Sequence, residues 1–277
     1  MTKREYAEEI VKIMESHSDQ KYRVVEVEKT NGVIKTGILP NITNGAAPTV
    51  YVDDWYNGNK SIDEVATEIE RVINMNKRDD FDASIFADYE KMKGNLRARL
   101  YNKKTYAEVF RSARGKGFDD LIIVPYATIP EMSGSNGIAG FKITNAILDR
   151  WGVTKKEVID TALKNSEKEV VISSMYDVFV EMGMPEDEAR MRAGSAPMTI
   201  VTNTTKVNGA ISILFAKKEM KERFPNGFVV LPSSIHEVIV VPMETGNEDY
   251  SNMVKEVNST EVSLEEQLSN RAYTFVA

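Results

Sequence analysis

"FVVLPSSIHEVIVVP", residues 228 to 242, places two β-branched runs, 228–231 and 238–241, six residues apart. Six residues cannot make the crossover that a parallel pair needs, so the runs predict antiparallel strands. Pro232 and Pro242 mark where the ladders stop, because proline has no N–H to donate. The same pattern recurs elsewhere. "YRVVEVEKTNGVIKTGIL" (22–39) alternates about Asn31-Gly32, a pair that accepts the positive φ angles of a two-residue hairpin turn. "PTVYV" (48–52), "NLRARLYN" (95–102), "DLIIVPYATI" (120–129), "MTIVT" (198–202), "NGAISIL" (208–214) and "AYTFV" (272–276) read as further strands.

Helices are interspersed among them. Tyr6, Ile10, Ile13 and Met14 fall at helical spacing near the start of the chain. Ser61 with Glu64, and Thr154 with Glu157, have the spacing of a capping box, in which each side chain satisfies the other's backbone N–H. They open helices to about Asn76 and over 154–165. Helical stretches are also predicted at 82–92, 144–151, 174–182, 185–193, 217–223 and 247–257. The sum is an α+β protein with largely antiparallel sheets flanked by helices. The linker-like "PEMSGSNG" (130–137) divides it into two subdomains, 1–132 and 133–277.

Composition limits the possible functions. The chain has 277 residues, 42% hydrophobic and 28% charged, enough apolar surface to offset chain entropy. It contains no cysteine, which excludes disulfides and thiolate metal sites and fits a reducing cytoplasm. The first residues interrupt their apolar positions with charge and do not resemble a signal peptide, and no run of about 18 apolar residues predicts a membrane span. A net charge of −7 opposes general binding to nucleic acid or anionic membranes.

Five segments, in order, carry a family resemblance: "APTVYVDDWYNGNKSIDEVATEI", "RWGVTKKEVIDTAL", "MTIVTNTTKVNGAISIL", "LPSSIHEVIVVP" and "MVKEVNSTEVSLEEQLSNRAYTF". Together they resemble domain-of-unknown-function family 5688, a bacterial group common in gut anaerobes and their mobile elements. The resemblance implies a bacterial, intracellular setting and supplies no activity, cofactor or catalytic residue. The basic stretch around 97–116 departs from the family pattern.

Candidate chemistry is sparse. Ser233 and His236 have the spacing of one helical turn, and a serine nucleophile needs a base within roughly 3 Å. No orienting acid stands nearby in sequence, and the Gly-x-Ser-x-Gly elbow is missing. A turn between strands, with Ser234 and Glu237 in a one-turn cap, explains the stretch as well. His17 closes a polar helix end. "DDWYNGNKSIDE" (53–64) fails as a calcium loop, because Trp55 and Lys60 occupy positions that need an oxygen and an apolar side chain. "GSNGIAG" (134–140) is glycine-rich but fits neither phosphate-binding fingerprint. "RDDFD" (78–82) and "PEDEA" (185–189) read as acidic helix starts. No metal site and no cofactor are predicted.

Charge segregation is the strongest anomaly. Residues 91–118 carry nine basic residues against the single acid Glu108, a local +8 that leaves −15 for the rest. Tyr101, Tyr106, Phe110 and Phe118 are interleaved. The expectation is therefore a non-enzymatic cytoplasmic protein that binds a macromolecular partner through Arg97, Arg99, Lys103, Lys104, Arg111, Arg114 and Lys116. An acidic protein surface fits better than nucleic acid, and regulation or interference within mobile elements suits the resemblance. The alternatives are a serine-type hydrolase using Ser233 and His236, and a nucleic-acid-binding protein.

Overall fold

The computed structural model describes residues 1–43, 45–104, 109–133, 138–194, 198–243 and 249–276. Its packing separates two units, Met1–Asp88 and Tyr89–Ala277.

The first unit holds α1 (Lys3–His17), β1 (Tyr22–Glu28), β2 (Ile34–Pro40), β3 (Val50–Tyr51) and α2 (Ile62–Asn76), with the strands forming one antiparallel sheet in that order. Both helices start at capping boxes, Thr2 with Glu5 and Ser61 with Glu64. Each cap contributes about 1 kcal/mol. Tyr6, Ile10 and Met14 of α1 and Val65, Ile69 and Ile73 of α2 recur at helical spacing, so each helix presents one apolar face. These faces form a core with Tyr22, Ile38 and Val50 of the sheet.

The hairpin forms, but its turn is longer than expected. Asn31 and Gly32 take positive φ of 58° and 75°, as Asn-Gly readily does. Glu28 nevertheless pairs with Ile34, and Lys29 donates to the Val33 carbonyl at 2.7 Å, so five residues make the connection. In the loop before α2, Asp53 accepts the Thr36 N–H and pairs with Lys3. His17 lies 3.1 Å from Glu70.

The second unit begins with the short α3 (Tyr89–Met92). It continues through β4 (Leu96–Asn102), β5 (Arg111–Ser112), β6 (Leu121–Thr128), β7 (Gly140–Lys142), α4 (Asn145–Trp151) and α5 (Lys155–Glu167). Then follow β8 (Val170–Ser174), α6 (Met175–Glu181), α7 (Glu186–Gly194), β9 (Thr199–Asn203), α8 (Ile213–Arg223), β10 (Phe228–Leu231), β11 (Val238–Pro242), α9 (Tyr250–Thr260) and β12 (Tyr273–Phe275). The runs that open the sequence analysis pair antiparallel, Leu231 against Ile239, inside a five-stranded sheet ordered β12-β10-β11-β9-β8. The fold is α+β, and every described strand pairing is antiparallel. The expected boundary at 132/133 falls inside this second unit, between two strands, β6 and β7, that pair with each other.

A four-stranded sheet is built round β6. β4 lines one edge over its whole length, while β5 and β7 share the other edge at opposite ends. Pro125 sits in the middle of β6. Its carbonyl accepts from Ile143 at 3.4 Å, on the side away from β4. The N–H that proline lacks would face the same side, in the gap between β5 and β7. The outer edge of β4 is covered by the end of α5. Ser166 Oγ accepts the Ala98 N–H at 2.9 Å, and Asn165 Nδ2 donates to the Leu96 carbonyl at 3.1 Å. Satisfying these groups removes an exposed strand edge and fixes β4 against the helix.

Some elements differ from expectation. "NGAISIL" is not a strand. Residues 209–212 form a 3-10 turn that runs into α8, and Ala210, Ile211, Ser212 and Ile213 are all buried. Gly209 makes this possible, since a Cβ there would lie 2.3 Å from Thr202 Oγ1 and 2.6 Å from the His236 carbonyl oxygen. The helical stretch expected at 82–92 is a 3-10 turn followed by α3. β5, β7 and β8 were not anticipated from the sequence.

Substituting Ser166→Ala leaves the Ala98 N–H buried without a partner. We expect a loss of about 1–3 kcal/mol, read from the urea midpoint of the second unit's transition. An unchanged midpoint would show that the cover on β4 contributes nothing.

Candidate functional site

Alternation along "LRARLYN" puts Arg97, Arg99 and Tyr101 on one face of β4. That face is interior. Arg97 uses Nε and Nη2 to hold Glu169 Oε1 at 2.8 Å, and its Nη1 donates to the Gly94 and Leu96 carbonyls. Arg99 is 9% exposed and stacks on Tyr126, with Cζ 3.3 Å from the ring centroid. Tyr126 stands diagonally across from it on β6, within reach of a long side chain. The Tyr126 ring in turn crosses β7 at a glycine, because a Cβ on Gly140 would lie 2.4 Å from Tyr126 Cε1.

Arg97 and Arg99 line a cavity of about 200 Å³ with Thr128, Ser133, Asn203 and Asn208. Asn203 orders one wall. Its Oδ1 accepts from Val207 N–H and Thr205 Oγ1, and its Nδ2 donates to the Val207 carbonyl. The enclosed loop holds Lys206 and Asn208 at positive φ, 55° and 54°.

The other basic residues have different surroundings. Arg111 pairs with Asp160 at 2.7 Å, and Lys156 holds the other oxygen of that carboxylate. Lys156 and then Arg111 keep the Asp160 carboxyl below the usual carboxylate range. Arg114 lies 3.6 Å from Asp119, both well exposed, which makes a weak pair. Lys103, Lys104 and Lys116 are exposed, and among the described residues none has a carboxylate within ion-pair distance. Two hydrogen bonds put both groups at one end of the sheet. Lys103 N–H donates to the Asp120 carbonyl, and Ala113 N–H donates to Leu121, just before the turn that carries Lys116. The Asp120 carboxylate makes no ion pair with them. It accepts from Tyr273, Ser269 Oγ at 2.9 Å and Asn102 Nδ2 at 3.4 Å. Burial, then the bond to Asp120, drives the Tyr273 hydroxyl pKa well above its ordinary value.

A lysine from a distant helix joins this end. Lys217 of α8 donates to the Lys116 carbonyl, and its Nζ lies 4.2 Å from the Phe275 ring centroid and 4.9 Å from that of Phe118. Burial pushes its pKa down to about 8, and the charges of Lys116 and Lys221 add to the effect. No periodicity in the sequence marks Lys217, which is one of many lysines on amphipathic helices. The expected face of seven basic residues is therefore divided. Arg97 and Arg99 turn inward, Arg111 is paired, and Lys103, Lys104, Arg114 and Lys116 remain outside. Glu108 and Tyr106 lie outside the described residues.

His236 and Ser233 do not form a hydrogen-bonded pair. His236 Nδ1 accepts the Asn208 N–H at 3.2 Å, so the ring proton sits on Nε2, which faces Glu266 Oε1 at 3.4 Å. With Nδ1 occupied by a donor, the imidazole has no free lone pair for a serine proton. The one-turn cap expected of Ser234 and Glu237 is replaced by a tighter local bond, from His236 N–H to Ser234 Oγ at 2.9 Å. Within "GSNGIAG", residues 134–137 lie outside the described residues. Among the described residues, no three His, Asp or Glu side chains gather as metal ligands, and no helix is long and apolar enough to cross a membrane.

The comparison that decides membership covers nearly the whole chain, residues 3–276. The chain belongs to DUF5688, a family of unknown function. The family description assigns no reaction or ligand to either the DUF5688 cavity or the lysine-rich sheet end. Searches of curated proteins and of solved structures returned no match.

The lowered Lys217 pKa has a definite sign. The unfolded chain binds this proton up to the ordinary lysine value of 10.5, whereas the folded chain releases it near 8. Stability therefore rises with pH between those values, because the unfolded state holds more protons. The melting temperature of the native chain, relative to Lys217→Met, should rise from pH 8 to pH 10. Parallel curves would show that Lys217 titrates normally.

Proposed function

We propose that this DUF5688 protein is a non-enzymatic binder that docks on an acidic protein surface through the lysine-rich end of the second unit. The observation that carries this reading is the grouping of Lys103, Lys104 and Lys116 without carboxylate partners among the described residues. The same end gains Lys217 and Lys221, whose mutual repulsion with Lys116 is felt in the lowered Lys217 pKa. Exposed, unpaired cations accelerate encounter with an oppositely charged partner and fix its orientation. An acidic protein patch fits better than nucleic acid. The chain is acidic overall at −7, and an extended polyanion would meet that negative surface beyond the patch. The absence of cysteine suits a reducing cytoplasm, and the mobile-element setting implied by the family resemblance suits a regulatory role for such docking.

Immobilised poly-L-glutamate tests the patch directly. The native chain should be retained at low salt and released as ionic strength rises, while the triple variant Lys103→Glu, Lys104→Glu, Lys116→Glu should pass unretained with an unchanged circular dichroism spectrum. Equal retention of the two proteins would remove this surface from consideration. Tighter retention on duplex DNA than on polyglutamate, with a steeper salt dependence, would favour nucleic acid instead.

A further inference from the structure

Arg97 and Arg99 stand two residues apart on one face of β4, and they are treated differently. Arg97 presents its Nε/Nη2 edge to Glu169 and has its Nη1 on two carbonyls. Arg99 is the more buried of the two, yet the one hydrogen bond seen from its guanidinium is from Nη1 to the Tyr101 hydroxyl, at 3.4 Å. Among the described residues no carboxylate pairs with it. A guanidinium carries five N–H donors and cannot shed its proton, so burial cannot neutralise it as it can a lysine. Stacking on Tyr126 covers one face of the plane, and the Nε/Nη2 edge has no hydrogen-bond partner among the described residues. The residue lines the 200 Å³ cavity.

We infer that this cavity is a binding site for a small monocarboxylate, whose two oxygens lie against the Nε/Nη2 edge of Arg99. The two parallel N–H groups of that edge match the two oxygens of a planar carboxylate, and the same edge of the neighbouring Arg97 takes a carboxylate, although there both nitrogens meet one oxygen, Glu169 Oε1. The remaining lining sets the body of the ligand. Pro130, Ile138, Val207 and Ile211 are apolar, Ser133 is occupied by Ile129 and Ala139, and Asn208 offers its Oδ1, buried without a hydrogen-bond partner among the described residues. The volume is similar to that of an engineered cavity of about 150 Å³ that admits benzene, so an acid of aromatic-ring size fits. Glu169 in the same lining disfavours a second negative charge, which selects a monocarboxylate over phosphate. None of the lysines of the proposed docking end lines this cavity, so the inference goes beyond that reading.

The test uses the full chain with sodium benzoate, sodium hexanoate and inorganic phosphate as probes, followed by saturation-transfer NMR and thermal melting. Benzoate or hexanoate should bind saturably and raise the melting temperature, and inorganic phosphate at the same concentration should not displace them. Arg99→Lys keeps the charge but loses the fork, and should weaken carboxylate binding at least tenfold. Arg99→Met should abolish binding while the ligand-free protein melts at the same temperature as the native chain or higher, since a buried charge without a partner is removed. A merely structural arginine would give the opposite, a lower melting temperature in Arg99→Met. That outcome, saturable binding unchanged in Arg99→Lys, no binding of either carboxylate up to 50-fold above millimolar concentration, or preferential binding of phosphate would each overturn the assignment. Should Arg99→Met fail to fold, the Arg99→Lys comparison decides alone.

Discussion

A guanidinium buried against Tyr126, with no ion pair among the described residues, is the constraint around which the second unit is arranged. Taking an ion out of water costs several kcal/mol even after the surroundings relax. A cation–π stack at a desolvated site returns about 2 kcal/mol of that, and one long bond to Tyr101 returns little more. The fold nevertheless invests structure in holding Arg99 there. Ser166 and Asn165 cover the free edge of β4, which sets the height of the strand. Gly140 leaves room for the Tyr126 ring. Glu169, between α5 and β8, pairs with Arg97, so that of the two arginines lining the cavity only Arg99 makes no ion pair among the described residues.

The lysine-rich end follows the opposite logic. There the charges are exposed, and the Asp120 carboxylate makes no ion pair with them but accepts from Tyr273, Ser269 and Asn102. Lys217 shows what the arrangement costs. It gives up proton affinity because it is half-buried against two phenylalanine rings beside other ammonium groups. Gly117, at φ of 86°, permits this approach, as a Cβ there would meet the Phe275 ring at 2.7 Å and Lys217 Nζ at 3.5 Å. One basic segment is thus divided between two environments, a cavity lined by Arg97 and Arg99 and an exposed end that gathers Lys103, Lys104 and Lys116.

Much of the architecture was readable from local signals. The capping box at Ser61 and Glu64, the apolar run of β6 and the six-residue connection between β10 and β11 each name their element because local chemistry suffices. "NGAISIL" misleads because a run buried on every side has no periodicity to separate strand from helix. β5, at two residues, is too short to leave a pattern. The site was legible only in part. Alternation in "LRARLYN" puts Arg97 and Arg99 on one face, but whether that face meets water depends on Glu169, 72 residues from Arg97. Asp160 stands 49 residues from Arg111, beyond any local signal. Linear charge density recognised the segment and could not divide it.

The most direct measurement is the ¹⁵N–¹H spectrum of the arginine Nε groups as benzoate is added. An open Nε/Nη2 edge predicts that the Arg99 Nε–H resonance shifts downfield and saturates, while that of Arg97, already held by Glu169, stays in place. An Arg99 resonance that does not move, or one that shifts only together with Arg97 and the exposed arginines as general salt would cause, would contradict a carboxylate site in this cavity.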